Sequence, residues 1–221
     1  MSASGSGFFV AFEGVEGSGK STQVASLVRW LEARGHDVVA VREPGGTELG
    51  ERMRNLLLDQ HGPAIAPWAE LCAYMAARAQ LVAQVIAPAL AAGRLVVADR
   101  FGEASVAYQG GGRGLGTQQV GELYRWVTGG LLPSRVYLLD LDPEHGLARA
   151  AQRTAGRLDR LESEPLSFHR RVRESYLRQA EDEPRRFLVL DAERSSEDLA
   201  QAIRLDLESL FTGGTSGIAG S

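Results

Sequence analysis

Residues 14–21 read Gly-Val-Glu-Gly-Ser-Gly-Lys-Ser, a complete Gly-x4-Gly-Lys-Ser run. Gly14, Gly17 and Gly19 let consecutive backbone N–H groups turn inward around an anion. A helix opening near Lys20 points the positive end of its dipole at the same place. The Lys20 ammonium suits terminal phosphate oxygens and the Ser21 hydroxyl suits Mg2+. The ligand this chemistry implies is a nucleoside triphosphate with Mg2+, held by Gly14, Val15, Glu16, Gly17, Ser18, Gly19, Lys20, Ser21 and Thr22. Asp99 closes the apolar run Arg94–Ala98. An acid there can hold the metal directly or through water, or it can pair with Arg100 or cap the next helix.

A phosphate cradle needs a strand before it and a helix after it. Residues 8–13, FFVAFE, read as a buried strand, and Val24, Leu27, Val28 and Leu31 recur at helical spacing between Lys20 and Arg34. Further strands are expected at 37–42, 94–98, 135–140 and 186–190. Helices are expected over 48–59 behind the cap Thr47, from Pro67 to Ala92, over 117–128, from Pro143, over 165–181 and after Ser195. The Pro67 helix would bury Trp68, Leu71, Cys72, Met75, Ala79, Val82 and Ile86, and the last helix Leu199, Ile203, Leu207 and Leu210. Residues 103–109 suggest a short helix, the run GGGRG at 110–114 a flexible loop, and 149–160 a mobile Arg-rich segment. The alternation predicts an α/β fold, a five-stranded parallel sheet with helices on both faces. Ligands of such sheets bind at the carboxyl ends of the strands, where 13–21, 42–46 and 99–109 fall.

A chain of 221 residues with this pattern reads as one domain, 8–211, between flexible tails at 1–7 and 212–221. The net charge of −4 argues against a nucleic-acid polymer as partner, which usually meets a basic excess. Cys72, the single cysteine, cannot form an internal disulfide and is expected in the core. No apolar run approaches the ~20 residues of a membrane span, and residues 1–7 lack the character of a signal peptide, so the expected location is the cytoplasm.

The cradle alone does not separate a kinase from another nucleotide hydrolase or a binding module. The absence of an Asn-Lys-x-Asp run lowers the guanine-reading alternative. Arg42, Arg78 and Arg100 lie at or near strand ends, and their guanidinium forks suit a second phosphate or a base edge. A second anion site is what a kinase of a phosphorylated acceptor needs.

In order along the chain stand FEGVEGSGKST, VREPGGTELGERMRNLLL, YMAARAQL, ADRF followed by ASVAYQGGGRG, and GRLDRLE. With these motifs the chain resembles the bacterial thymidylate kinases from about residue 8 to about 205. The resemblance implies a three-layer P-loop fold with a short mobile lid at about 149–162, transfer from ATP to dTMP, Mg2+ dependence and a homodimer. Position by position, it implies that Arg100 grips the acceptor phosphate with Arg42 beside it. Tyr74 would stack on thymine and Arg78, on the same helical face, would bond the base. Ser105 would sit near the base, Tyr108 would crowd the sugar against a 2′-hydroxyl with Gln109 following, and Glu16 would meet the 3′-hydroxyl and metal-bound water. Ser21, Asp99 and Glu162 form the implied metal set, and Lys20, Arg100 and Arg153 the catalytic cations. The lid spacing between Arg149 and Gly156 departs from the family pattern, so Arg149 and Arg157 stay alternatives to Arg153. Two other functions remain: a kinase of another monophosphate, separable by acceptor profiling, and a regulatory module that binds nucleotide without acceptor-dependent ADP formation.

Overall fold

The computed structural model describes residues 7–153, 155–156 and 158–213. Five parallel strands, β1 (Phe8–Glu13), β2 (Val38–Arg42), β3 (Leu95–Asp99), β4 (Arg135–Asp140) and β5 (Phe187–Asp191), pair in the order β2-β3-β1-β4-β5. The expected strands and this sheet agree to within a residue or two at each end. Register matters for function: Phe12 of β1 and Arg42 of β2 both pair with Asp99 of β3. The loops leaving these three strands therefore open side by side on one edge.

Alternate residues of β1 feed two cores. Val10 and Phe12 pack with Leu27 and Leu31 of α1 (Lys20–Glu32) and with Leu199 and Ile203 of α9 (Ser196–Gly213). Phe9 and Ala11 pack with Leu71 and Met75 of α3 (Pro67–Leu81) and with Val120 and Tyr124 of α6 (Thr117–Val127). Thr47 caps α2 (Glu48–Leu58) as expected, its hydroxyl accepting from Gly50 N at 2.9 Å. Helix α9 runs to Gly213, two residues past the expected domain end at 211, and Leu210 is exposed on it. The tail residues 1–6 and 214–221 lie outside the described residues.

Three further sequence expectations change. The Pro67–Ala92 helix is interrupted: a wide π turn at Val82–Ile86 separates α3 from α4 (Ala87–Ala91). Pro88 lacks the N–H that a regular turn requires, and the wider turn absorbs the mismatch. The buried face of α3 is also rotated from the expected one. Trp68 is 53% exposed and Cys72 is exposed, because the helix instead buries a polar row, Glu70, Tyr74 and Arg78. Finally, Gly110–Gly112 is not a flexible loop. After α5 (Gly102–Ser105), Val106–Gly112 forms a π turn against α8 (Leu166–Asp182). A Cβ at Gly111 would lie 2.7 Å from Ser175 Cβ, and one at Gly112 2.6 Å from the Phe168 ring. Glycine is used there for close helix approach.

Candidate active site

The 14–21 loop leaves β1 and turns directly into α1 at Lys20. It is pressed against α7 (Pro143–Arg153): a Cβ on Gly17, whose φ is +69°, would overlap Gly146 O, and one on Gly146 would overlap Glu16 O. No side chain fits between the two segments, so the backbone amides are held in a tight arc. The Lys20 ammonium folds back into the loop, donating to Gly14 O at 3.0 Å, Val15 O at 2.7 Å and Ser18 Oγ at 3.2 Å. Burial, reinforced by the charge of Arg100, lowers its pKa to about 8. Ser21 Oγ donates to Asp99 Oδ2 at 2.5 Å.

A cleft of about 660 Å3 runs from this loop to α3. Arg100 stands at its middle. Its φ of +70° is a backbone state that a non-glycine residue adopts at a cost of about 1 kcal/mol or more. The turn carries the guanidinium back over the loop. It donates to Gly14 O at 2.9 Å, to Tyr176 OH at 3.1 Å, to Glu16 Oε1 at 2.8 Å and to Tyr108 OH at 3.0 Å. The Tyr108 hydroxyl donates to the Glu16 carboxylate at 2.6 Å. Burial alone would raise the Glu16 pKa, but the Arg100 charge, with Lys20 and the Tyr108 hydroxyl, holds it far below the usual carboxylate range. Beneath them Glu13 is fully buried, accepting from Phe101 N and from Tyr176 OH, each at 2.7 Å. Burial, with Glu103 adding repulsion, pushes its pKa up to about 8.

The far end of the cleft is lined by Tyr74, Arg78, Ser105, Tyr108 and Gln109. Arg78 is 1% exposed and is paired with Glu43, Nε donating at 2.8 Å; its Nη2 donates to Ser105 Oγ at 3.0 Å and Phe101 O at 3.2 Å. Gln109 donates to Glu70 at 2.8 Å, so its amide is fixed from α3. Arg42 opens the wall beside Asp99 and donates to Glu51 at 2.9 Å. Arg54 of α2 joins it, anchored on Pro44 O at 2.9 Å.

From the lid side Arg153, Asp159 and Glu162 line the cleft. Arg153 donates to Glu162 at 3.2 Å, and the Glu162 carboxylate also accepts from Asp159 N at 3.0 Å. Arg149 is turned away, bound to Glu193 at 2.6 Å, and Arg157 lies outside the described residues. Arg160 ties the lid down, donating to Leu57 O at 2.8 Å and pairing with Glu70 at 2.7 Å. In this structure the described part of the 149–160 segment is thus tethered.

Gly14, Val15 and Ser18 belong to the loop and hold Lys20 without lining the cleft; Glu16, Gly17, Gly19, Lys20, Ser21, Thr22, Arg42, Tyr74, Arg78, Asp99, Arg100, Ser105, Tyr108, Gln109, Arg153 and Glu162 all reach it. Sequence reasoning gave no role to Glu43, Arg54, Glu13, Tyr176 or His169. For Glu43 and Arg54 a signal existed, since both stand inside the VREPGGTELGERMRNLLL run. Glu13 likewise stands inside the FEGVEGSGKST run, whereas Tyr176 and His169 lie outside every run that carried a signal. No cluster of three or more His, Cys, Asp or Glu arranged to hold a metal by themselves occurs among the described residues. A metal here would have to share its coordination between Ser21, Asp99 and bound phosphate.

The profile of the thymidylate kinase family matches residues 12–203. A thymidylate kinase of Deinococcus radiodurans is 51% identical over 199 residues, covering 89% of this chain and 94% of its relative. One from Pseudomonas putida is 49% identical over 208 residues, 94% of this chain and 96% of the relative. The crystal structure of thymidylate kinase from Ehrlichia chaffeensis superposes with a TM-score of 0.73 at 28% identity, covering 91% of this chain and 99% of that one.

Proposed function

This chain belongs to the thymidylate kinase family, and from that premise we propose how its cleft converts dTMP to dTDP. The enzyme is a phosphotransferase that phosphorylates dTMP with ATP. The observation that carries the mechanism is a single cleft with a phosphate loop at one end, a pocket of Tyr74, Arg78, Ser105 and Gln109 at the other, and Arg100 between them.

ATP places its phosphates in the 14–21 loop. Lys20 exchanges its three internal acceptors for phosphate oxygens, and the anion restores the charge that burial disfavours. Mg2+ would be held by Ser21 and Asp99, whose oxygens already stand 2.5 Å apart at the mouth of the loop, with Glu162 lining the same cleft from the lid. It would neutralise charge on the phosphate oxygens. Thymine lies on Tyr74 and is read by Arg78 and Ser105. Tyr108 excludes a 2′-hydroxyl, and Glu16 holds the sugar 3′-hydroxyl. Arg100, with Arg42 and Arg54, grips the acceptor phosphate, so its oxygen faces the γ-phosphoryl group in line. Transfer needs little base catalysis, since positioning and charge neutralisation dominate. Arg153 leaves Glu162 and supplies the lid's cation. The exposed apolar side chains Leu49, Leu56, Trp68 and Trp126 on α2, α3 and α6 suit a homodimer contact. No described helix is long and apolar enough to cross a membrane, which fits the cytoplasm.

The test is coupled ADP release with dTMP, dUMP, dCMP and AMP as acceptors. Expected is Mg2+-dependent turnover fastest with dTMP and abolished in Lys20→Ala. ADP release indifferent to dTMP would overturn the reading.

A further inference from the structure

His169 lies in the first turn of α8 and is 1% exposed. Neither ring nitrogen has a hydrogen-bond partner among the described residues. A neutral imidazole still carries one N–H, and burying it unmatched is costly. The ring packs edge-on against Phe168, at 5.3 Å between centroids and 89° between planes. Its Nδ1 stands 3.6 Å from Glu16 Oε2, just beyond hydrogen-bonding range. His169 does not line the cleft, whereas Glu16, the acid beside its Nδ1, does.

Glu16 is held here by Arg100 and Tyr108. On the functional reading above, on which this inference rests, those two side chains meet the acceptor's phosphate and sugar. As they turn to it, the Glu16 carboxylate keeps its charge in a largely buried place while its donors are withdrawn. We propose that His169 is a positioning residue for Glu16: its Nδ1–H donates to the carboxylate in the acceptor complex and aims it at the sugar hydroxyl. A closure of about half an ångström turns the present gap into a hydrogen bond.

Two substitutions separate this from a packing role. His169→Asn keeps an amide donor near the Nδ1 position, while His169→Phe keeps the ring and removes the donor. His169→Phe should lower kcat/KM for dTMP about 10-fold or more, as loss of a hydrogen bond to a charged group does, and leave KM for ATP unchanged. His169→Asn should stay well above His169→Phe. In a Glu16→Gln background, where the charge is gone, His169→Phe should cost little more. A measurement on the wild-type enzyme keeps the proposal testable if a variant fails to fold. The 15N signal of His169 Nδ1 should move toward a hydrogen-bonded donor as dTMP is added, while the exposed His36, His61 and His145 stay put. The proposal is overturned by wild-type kcat/KM in His169→Phe, by equal losses in both variants, or by an unmoved Nδ1 signal at saturating dTMP. Wild-type ADP release with and without dTMP is run alongside. Its failure overturns the functional reading, whereas its success beside an unaffected His169→Phe overturns only the role of His169.

Discussion

Replacing Arg78 by Ala would test two claims at once, because this side chain lines the end of the cleft proposed to take the base and also anchors the fold. It is 1% exposed, its partner Glu43 is 6% exposed, and the charged groups approach to 2.7 Å. Breaking a buried ion pair from one side leaves the other charge uncompensated, at about 3–5 kcal/mol. For a chain of this size each kcal/mol moves Tm by about 2–4 °C, so Arg78→Ala should melt roughly 6–20 °C below wild type. A residue that only read the base would cost dTMP affinity and leave Tm alone. Replacing both partners by apolar side chains of similar volume is often close to neutral, so Arg78→Met with Glu43→Leu should recover most of the loss in Tm.

The two roles then come apart in calorimetry. In the apolar double variant dTMP binding should stay weaker by about 1.5–3 kcal/mol, the range for a hydrogen bond to a charged group, while ATP binding is unchanged. An Arg78→Ala protein that melts within about 2 °C of wild type would refute the buried-pair argument. A double variant that binds dTMP normally would refute the base-reading role.

Arg153→Met should lower kcat by about 10³-fold with little change in ATP affinity, and Tm should hold because this side chain is 63% exposed on Glu162; near-normal kcat by ADP release would leave the lid as only a cover. Tyr108→Ala should narrow the kcat/KM preference for dTMP over its ribose counterpart, and Tyr108→Phe, which keeps the ring, should largely preserve it; an unmoved ratio in the alanine variant removes the steric role. Glu13 gives a pH dependence. Its folded pKa of about 8 lies above the usual carboxylate value, so it binds a proton in the fold that the unfolded chain has released. Its contribution is complete below the unfolded pKa near 4.5 and is lost as pH rises toward 8, at on the order of 1 kcal/mol per pH unit. The Tm of Glu13→Gln should therefore gain on wild type between pH 5 and pH 8, and parallel Tm profiles would refute the shift.

The sheet and the phosphate end were legible because their signals are local. Strand, glycine turn, lysine and amphipathic helix follow one another within 8–34, and each element's periodicity agrees with its neighbours. The misreadings arise where one helix buries polar groups against another segment. On α3 the apolar types at Trp68 and Cys72 suggested an inward face, while the inward face carries Glu70, Tyr74 and Arg78. The partners that make this burial possible are 35 residues away for Arg78 in Glu43, 43 for Glu70 in Arg113, and further still in Arg160. Periodicity contains no term for such partners. Glycine at 111 and 112 carries the same ambiguity: a flexible loop and a close helix contact use the same residue, and only α8 decides between them.

These pairings also show that the cations of the cleft already have acceptors within the protein. Lys20 rests on loop carbonyls, Arg100 on Glu16, Arg78 on Glu43, Arg42 on Glu51 and Arg153 on Glu162. Each phosphate contact is therefore an exchange of acceptors, so its net contribution is smaller than the gross strength of the new bond. Exchange also links the substrates. On the proposed assignment, an acceptor that draws Arg100 from Glu16 would free that carboxylate for the sugar, and a γ-phosphoryl group that draws Arg153 from Glu162 would free that acid toward Ser21 and Asp99. Charge neutralisation of the transferring group would then be complete only with both nucleotides present. A kinase needs this condition if water is not to take the phosphoryl group in place of dTMP.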